Sequence, residues 1–376
     1  MRYYLIAGEA SGDLHGSNLI RGLLAEDPGA ECRCRGGDLM QAAGATLVQH
    51  YREGAVMGVG DVLRKAGPLL RSLRDCKRDI AAWQPDVVIL IDYPGFNLRV
   101  AKWCHARGLR VFWYIAPKTW ASRASRNRKL KAWVDRLFII FPFEVPYFTR
   151  EGVPFTYVGN PLLDAVDGHD FVRPVAGRYV ALLAGSRKDE IRRMMPRMMQ
   201  TADLLAARPG WEDVRFVVAG APARSEADYL PYIAGRKNVD LVFDRTYDIL
   251  RYADAAVVNS GTASLETVLI GTPQVVVWST TFLAAWVLDK VHFLDRFRFI
   301  SLGNLCLGRE AFRELLQWFF TPEAAAEEVR KLVEDDAYRA RMLADYAEIR
   351  QSLGGSGASN AVAWAMIEEL NKTKSI

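Results

Sequence analysis

Residues 3–13 read Tyr-Tyr-Leu-Ile-Ala-Gly-Glu-Ala-Ser-Gly-Asp, and this stretch decides the fold. Tyr3–Ala7 is a short apolar run. Gly8–Asp13 is a turn of small and acidic residues, and Leu14–Glu26 continues as an amphipathic stretch. Strand, turn and helix in that order open an α/β domain. Gly8 and Gly12 would let backbone N–H groups approach a ligand, and the start of the next helix attracts anions. Glu9 and Ser11 in such a turn read as substrate-facing groups. The turn matches neither the dinucleotide, the Walker nor the nucleophile-elbow pattern. An ordinary βα turn with a solvated Glu9 accounts for it equally well.

Outward from this unit, strands and helices alternate. Thr46–His50, Val87–Ile91, Arg110–Ile115, Leu137–Phe141 and Phe155–Val158 read as strands. Val87–Ile91 is apolar throughout, as in a parallel sheet covered on both faces. Phe96–Arg107 and Glu144–Glu151 read as helices, and Asp61–Ala82 as a basic helical region broken near Gly67-Pro68. Residues 164–177 resemble a linker. A second series follows with strands at Tyr179–Leu183, Val214–Ala219, Leu241–Phe243, Ala255–Val258 and Gln274–Trp278. Its helices are Asp189–Ala207 and Thr262–Ile270. Pro322–Leu370 is largely helical, with a break at Leu353–Ser359. The expectation is an α/β chain of two doubly wound domains, residues 1–165 and 175–350. The last helix, 355–376, either packs back on the first domain or swaps between domains or subunits.

Composition agrees with a folded chain of this size. The 376 residues exceed one ordinary core, half are hydrophobic and a quarter charged. A net charge of +5 permits an anionic ligand or membrane but does not call for nucleic acid. The five cysteines form no C-x-x-C pair and read as reduced thiols of a cytosolic protein. No run reaches the ~18 apolar residues of a spanning helix, and the start reads as a strand, not a signal peptide. The five histidines are isolated, so no metal site is expected.

Three constellations could carry chemistry. Asp92 ends a buried strand, where apolar surroundings raise a carboxylate's pKa and suit a general base; as a helix cap it would be purely structural. Gly185-Ser186-Arg187 ends another strand and offers backbone N–H groups and a guanidinium to a diphosphate. Ser260-Gly261-Thr262-Ala263 opens a helix in the same way, with Glu266 one turn in, able to take both hydroxyls of a ribose or to cap its own helix. Together they point to a nucleotide-sugar site between two domains. Two further stretches could face lipid: Asp61–Trp83, with cations among leucines, and Met194, Met195, Met198 and Met199 beside Arg192, Arg193 and Arg197. Core-facing stripes account for both as well. The basic run Arg123, Arg126, Arg128, Lys129, Lys131 reads as solvated or phosphate-facing.

In this order the motifs resemble the lipid-A-disaccharide synthase family. They are Ala7–Asp13, Val56-Met57-Gly58, Ile91-Asp92 with Phe96-Asn97, Phe141–Glu144, Val158-Gly159, Gly185–Arg187, Ser260–Ala263 with Leu265-Glu266, Asn304-Leu305 and Gly308-Arg309-Glu310. The resemblance implies the GT-B fold, two Rossmann-like domains facing a central cleft. It implies inverting transfer from UDP-2,3-diacylglucosamine to 2,3-diacylglucosamine 1-phosphate, giving a β-1,6 disaccharide and UDP with no cofactor. By the same resemblance Asp92 is the base. Glu9, Ser11, Gly12, Met57, Asn304 and Gln317 serve the substrates, and Gly185, Ser186, Arg187, Ser260, Gly261, Thr262, Ala263 and Glu266 bind UDP. On this reading Gly8–Asp13 lies on the sugar side, its glycines admitting the sugar. The implied setting is the inner face of a Gram-negative inner membrane, with an anionic lipid surface as partner, no nucleic acid, and a homodimer allowed. Tyr93 and Gly95 depart from the family's usual Ala and second Asp, and Asn160 from its usual His. The alternatives are another GT-B enzyme on UDP-N-acetylglucosamine, whether transferase or epimerase, and a non-catalytic nucleotide-sugar or lipid binder.

Overall fold

The computed structural model describes residues 1–54, 66–121, 124–222, 224–281, 298–355 and 357–374. The chain divides into two compact units: Met1–Asp164 with Leu353–Ile376, and Ala165–Ser352.

The first unit is built on a seven-stranded sheet. Its strands are β1 (Arg2–Ala7), β2 (Glu31–Gly36), β3 (Thr46–His50), β4 (Val87–Ile91), β5 (Val111–Tyr114), β6 (Arg136–Ile139) and β7 (Phe155–Tyr157). All pairings are parallel, in the order β3-β2-β1-β4-β5-β6-β7. The order reverses between β1 and β4, which pair from Tyr3↔Val87 to Ala7↔Ile91. A crevice opens at such a reversal, outside the carboxyl ends of the strands. Both central strands are buried along nearly their whole length, as their unbroken apolar sequences require. Leu73, Cys76 and Ile80 of the helix Ala66–Trp83 pack into the core beside them. Helix α1 (Ala10–Glu26) follows β1, and the last helix, Ala358–Lys374, lies against it. They approach closely at Gly22, where a Cβ would stand 3.0 Å from the Ala363 Cβ and 3.0 Å from the Ser359 carbonyl oxygen.

The second unit repeats the plan with six strands: β8 (Tyr179–Leu183), β9 (Arg215–Gly220), β10 (Val239–Phe243), β11 (Ala255–Asn259), β12 (Gln274–Trp278) and β13 (Glu314–Leu316). They run parallel in the order β10-β9-β8-β11-β12-β13, reversing between β8 and β11.

Of the two stretches that could face lipid, the methionine stretch is corrected. Met194, Met195, Met198 and Met199 are all buried in the helix Lys188–Ala206, so they form core and not an adaptable surface. In Ala66–Trp83 the apolar side faces the sheet, while Arg71, Arg74 and Arg78 face solvent with Leu70 beside them. Asp61–Lys65 of that stretch, and Val56-Met57-Gly58, lie outside the described residues. Among the described residues no helix is long and apolar enough to cross a membrane.

Candidate functional site

In the first unit the turns after β1 and β4 flank the reversal point. Asp92 follows β4 with φ +40° and Tyr93 with φ +47°, two successive non-glycine residues in the left-handed region. Such a backbone is unfavourable and persists only where its surroundings fix it. Here the Asp92 N–H donates to the Tyr114 carbonyl (3.1 Å). The buried Asn97 amide donates to the carbonyls of Asp92 (2.8 Å) and Ile91 (3.3 Å). The helix Pro94–His105 takes Tyr93 as its N-cap, so Asp92 is not its cap.

Burial raises the Asp92 pKa to about 6, helped by the negative charge of Glu9; Lys118, the Tyr93 N–H and Arg126 oppose the rise. A carboxylate so tuned is largely ionised at neutral pH yet a stronger base than an ordinary aspartate. Glu9 is exposed at the start of α1, and its Oε1 accepts a hydrogen bond from Ser11 Oγ (2.9 Å). The turn therefore brings Glu9, Ser11 and Asp92 to one face.

The glycines of this turn make room for neighbouring side chains. A Cβ on Gly8 would lie 2.3 Å from the Tyr93 ring, and one on Gly12 3.1 Å from the Ala7 Cβ. The space a side chain would take at these two positions is filled by the protein's own side chains. Asp13 is structural too. Buried, it accepts from the N–H groups of Gly37 (2.8 Å), Met40 (3.1 Å) and Leu39 (3.1 Å), holding the helix Asp38–Ala42.

In the second unit the turns after β8 and β11 occupy the equivalent reversal. Gly185 has φ +104°, where a side chain would be strained, and its missing Cβ makes room for Glu190 Oε2 and Asn259 Nδ2. Glu190 is the residue that the sequence reading missed. Its Oε2 accepts from Ser186 N–H (3.0 Å) and Arg187 N–H (3.1 Å), and its Oε1 pairs with the Arg187 guanidinium (3.2 Å). It stands three residues after the N-cap Arg187, the Glu position of a capping box, but an arginine replaces the Ser or Thr of that pattern, so no sequence signal marks it. Arg187 itself is 64 % exposed.

After β11, Ser260 N–H donates to the Val277 carbonyl (2.9 Å), and Ser264 Oγ to the Gly261 carbonyl (2.8 Å) as the helix Thr262–Ile270 begins. Gly261, Thr262 and Ala263 present their backbone there. Glu266 does not bond its own first turn; Tyr247 donates to it (3.0 Å), and burial raises its pKa. Tyr247 in turn meets His169 edge-on, and His169 bonds Asp248 (3.0 Å).

Asn304 and Gln317 lie apart from these turns in their bonding. Asn304 is 0 % exposed. Its amide donates to Phe312 O and Glu314, and its carbonyl accepts from Ala311 and Phe312 N–H. Gln317 accepts from Thr280 N–H (2.7 Å) and returns a bond to its carbonyl. Both side chains are engaged in holding loops. Asn160 likewise bonds Ile140 O and Leu162 N–H, buried within the first unit. Met57 lies outside the described residues. Among the described residues no cluster of His, Cys, Asp and Glu could hold a metal ion.

Comparison with solved structures agrees with the fold. The chain superposes on a putative UDP-N-acetylglucosamine 2-epimerase from Listeria monocytogenes with a TM-score of 0.70 at 14 % identity, covering 96 % of this chain and 94 % of that one. It superposes on CalG4, the calicheamicin glycosyltransferase, with a TM-score of 0.59 at 19 % identity, covering 98 % of each. Sequence relatives are nearer. A lipid-A-disaccharide synthase of Geobacter metallireducens is 36 % identical over 99 % of this chain and 98 % of its own length. One from Myxococcus xanthus is 38 % identical over 98 % and 97 %. The family described as lipid-A-disaccharide synthetase matches residues 3–366. The chain belongs to the lipid-A-disaccharide synthase family.

Proposed function

We propose that the protein joins UDP-2,3-diacylglucosamine to 2,3-diacylglucosamine 1-phosphate by a single inverting displacement, with Asp92 as general base. Asp92 takes the proton of the acceptor's 6-hydroxyl. That oxygen forms a bond to the donor's anomeric carbon as the bond to the diphosphate breaks, and UDP leaves with the electron pair. The transition state has oxocarbenium character, like that of glycoside hydrolysis. In the second unit, Arg187 and the start of the helix Thr262–Ile270 meet the charge growing on the diphosphate. Glu266, held by Tyr247, takes the ribose hydroxyls. Glu9 and Ser11 orient the acceptor, while Asn304 and Gln317 position the loops of the second unit.

The observation that carries this reading is Asp92 itself: fixed at the reversal of the first sheet, its pKa raised to about 6, with Glu9 on the same face. The same reading has the acylated substrates drawn from a membrane surface, which the net charge of +5 supports. The test supplies the two substrates in vesicles of anionic lipid and follows products by thin-layer chromatography. Disaccharide 1-phosphate and UDP in equal amounts, with the protein sedimenting with the vesicles, are expected. UDP without disaccharide, or an epimerised UDP-sugar, would overturn the assignment.

A further inference from the structure

The loop that leaves β5 is built around an exposed lysine. Ile115 opens it at φ +63°, a conformation that is a true outlier for a β-branched residue. Its N–H donates to the Phe138 carbonyl (3.0 Å), and Trp113 Nε1 donates to its carbonyl (3.1 Å). Ala116, Pro117 and Thr119 are buried, and Trp120 meets Phe143 edge-on at 5.1 Å. Lys118 alone among these four consecutive residues faces solvent. The loop also neighbours the base: β4 and β5 pair at Ile91↔Tyr114, and Asp92 N–H bonds the Tyr114 carbonyl. A rigid turn thus presents one ammonium beside the Asp92 turn.

The charge is close enough to matter there, since Lys118 and Arg126 both lower the Asp92 pKa against the effect of burial. Lowering the pKa keeps Asp92 ionised at neutral pH, so this charge is compatible with its work as a base. Lys118 also acts on the buried Glu144, whose pKa it lowers against the effect of burial, and its exposed ammonium is accessible to an anion from solvent. The acceptor of the proposed reaction carries one. Its reacting 6-hydroxyl and its anomeric phosphate flank the same ring oxygen, so a phosphate within one sugar's width of Asp92 is required.

We infer that Lys118 is a specificity-determining residue for the acceptor, its ammonium receiving the anomeric phosphate of the sugar whose 6-hydroxyl lies at Asp92. This rests on the function proposed above. A compact ammonium on a flexible stem suits a phosphomonoester approached from solvent.

The test compares kcat/KM for 2,3-diacylglucosamine 1-phosphate with that for 2,3-diacylglucosamine bearing a free anomeric hydroxyl. Lys118→Ala should reduce the unmodified enzyme's preference for the phosphorylated acceptor by roughly ten- to hundredfold, the size of a lost charge-assisted contact, and Lys118→Arg should retain most of it. An unchanged preference in Lys118→Ala, including one accompanied by an equal loss on both acceptors, would overturn the inference. Failure of the unmodified protein to make disaccharide from either acceptor would instead overturn the functional assignment.

Discussion

Asp92 combines a left-handed backbone, φ +40°, with a carboxylate pushed up to about 6 by burial and by Glu9. Both features have measurable consequences. The kcat/KM profile should fall tenfold per pH unit below about pH 6, as the base is protonated. Stability should move in the opposite sense. The folded pKa exceeds the ordinary aspartate value of 3.8, so the ionised group costs stability above about pH 6 and nothing below 3.8. Asp92→Asn removes that charge and keeps a residue that tolerates the left-handed region. It should therefore raise stability at pH 7 by on the order of 2–3 kcal/mol, a gain that vanishes toward pH 4. A variant equal to or less stable than the parent at pH 7, by denaturant titration, would show that Asp92 is not held at such a cost. Asp92 was legible as a candidate because an acid ends an apolar run. The reason for Gly8 was not, since a glycine in a turn gives no sign that a tyrosine more than eighty residues later fills its place.

At the scale of elements, the long apolar strands could be read directly, and Thr46–His50, Val87–Ile91, Tyr179–Leu183 and Gln274–Trp278 form as their patterns imply. β2 and β13 escaped. β2 reads Glu-Cys-Arg-Cys-Arg-Gly, whose arginines mask a strand. Their side chains bond to another element: Asp79 receives a two-pronged bond from Arg33, and Ser72 accepts from Arg35. β13 is three residues long and gives no period to detect. Glu190 carries no local mark, because Arg187 stands where a capping box has Ser or Thr. Where α1 meets the last helix, Gly22 leaves little room beside Ala363 and Ser359. Gly22→Val should force these apart and lower stability by about 1–3 kcal/mol, an overpacking penalty. Limited proteolysis should then cut the Ala358–Lys374 helix faster than in the parent. A variant with unchanged stability and unchanged cleavage would mean that the two helices have room to spare.

Across the whole molecule, the two sheets share the same winding. The Rossmann-like order of each was legible from the alternation of strands and helices, and each reversal point carries one of the motif pairs: Gly8–Asp13 with Asp92, and Gly185–Arg187 with Ser260–Ala263. The hydrogen bonds by which Asn304 and Gln317 hold loops were not legible, because their partners lie on other segments and leave no local pattern. Since the proposed base and the proposed UDP site belong to different units, they should be separable by mutation. Asp92→Asn and the parent protein, compared for UDP affinity by calorimetry and for disaccharide formation by single-turnover assay, give the most direct measurement. The expected result is an unchanged UDP dissociation constant with turnover reduced by about 10²–10⁴-fold, the usual contribution of a general base. Turnover within a few-fold of the parent, in a variant that is folded and binds UDP, would contradict the assignment of Asp92 as the base.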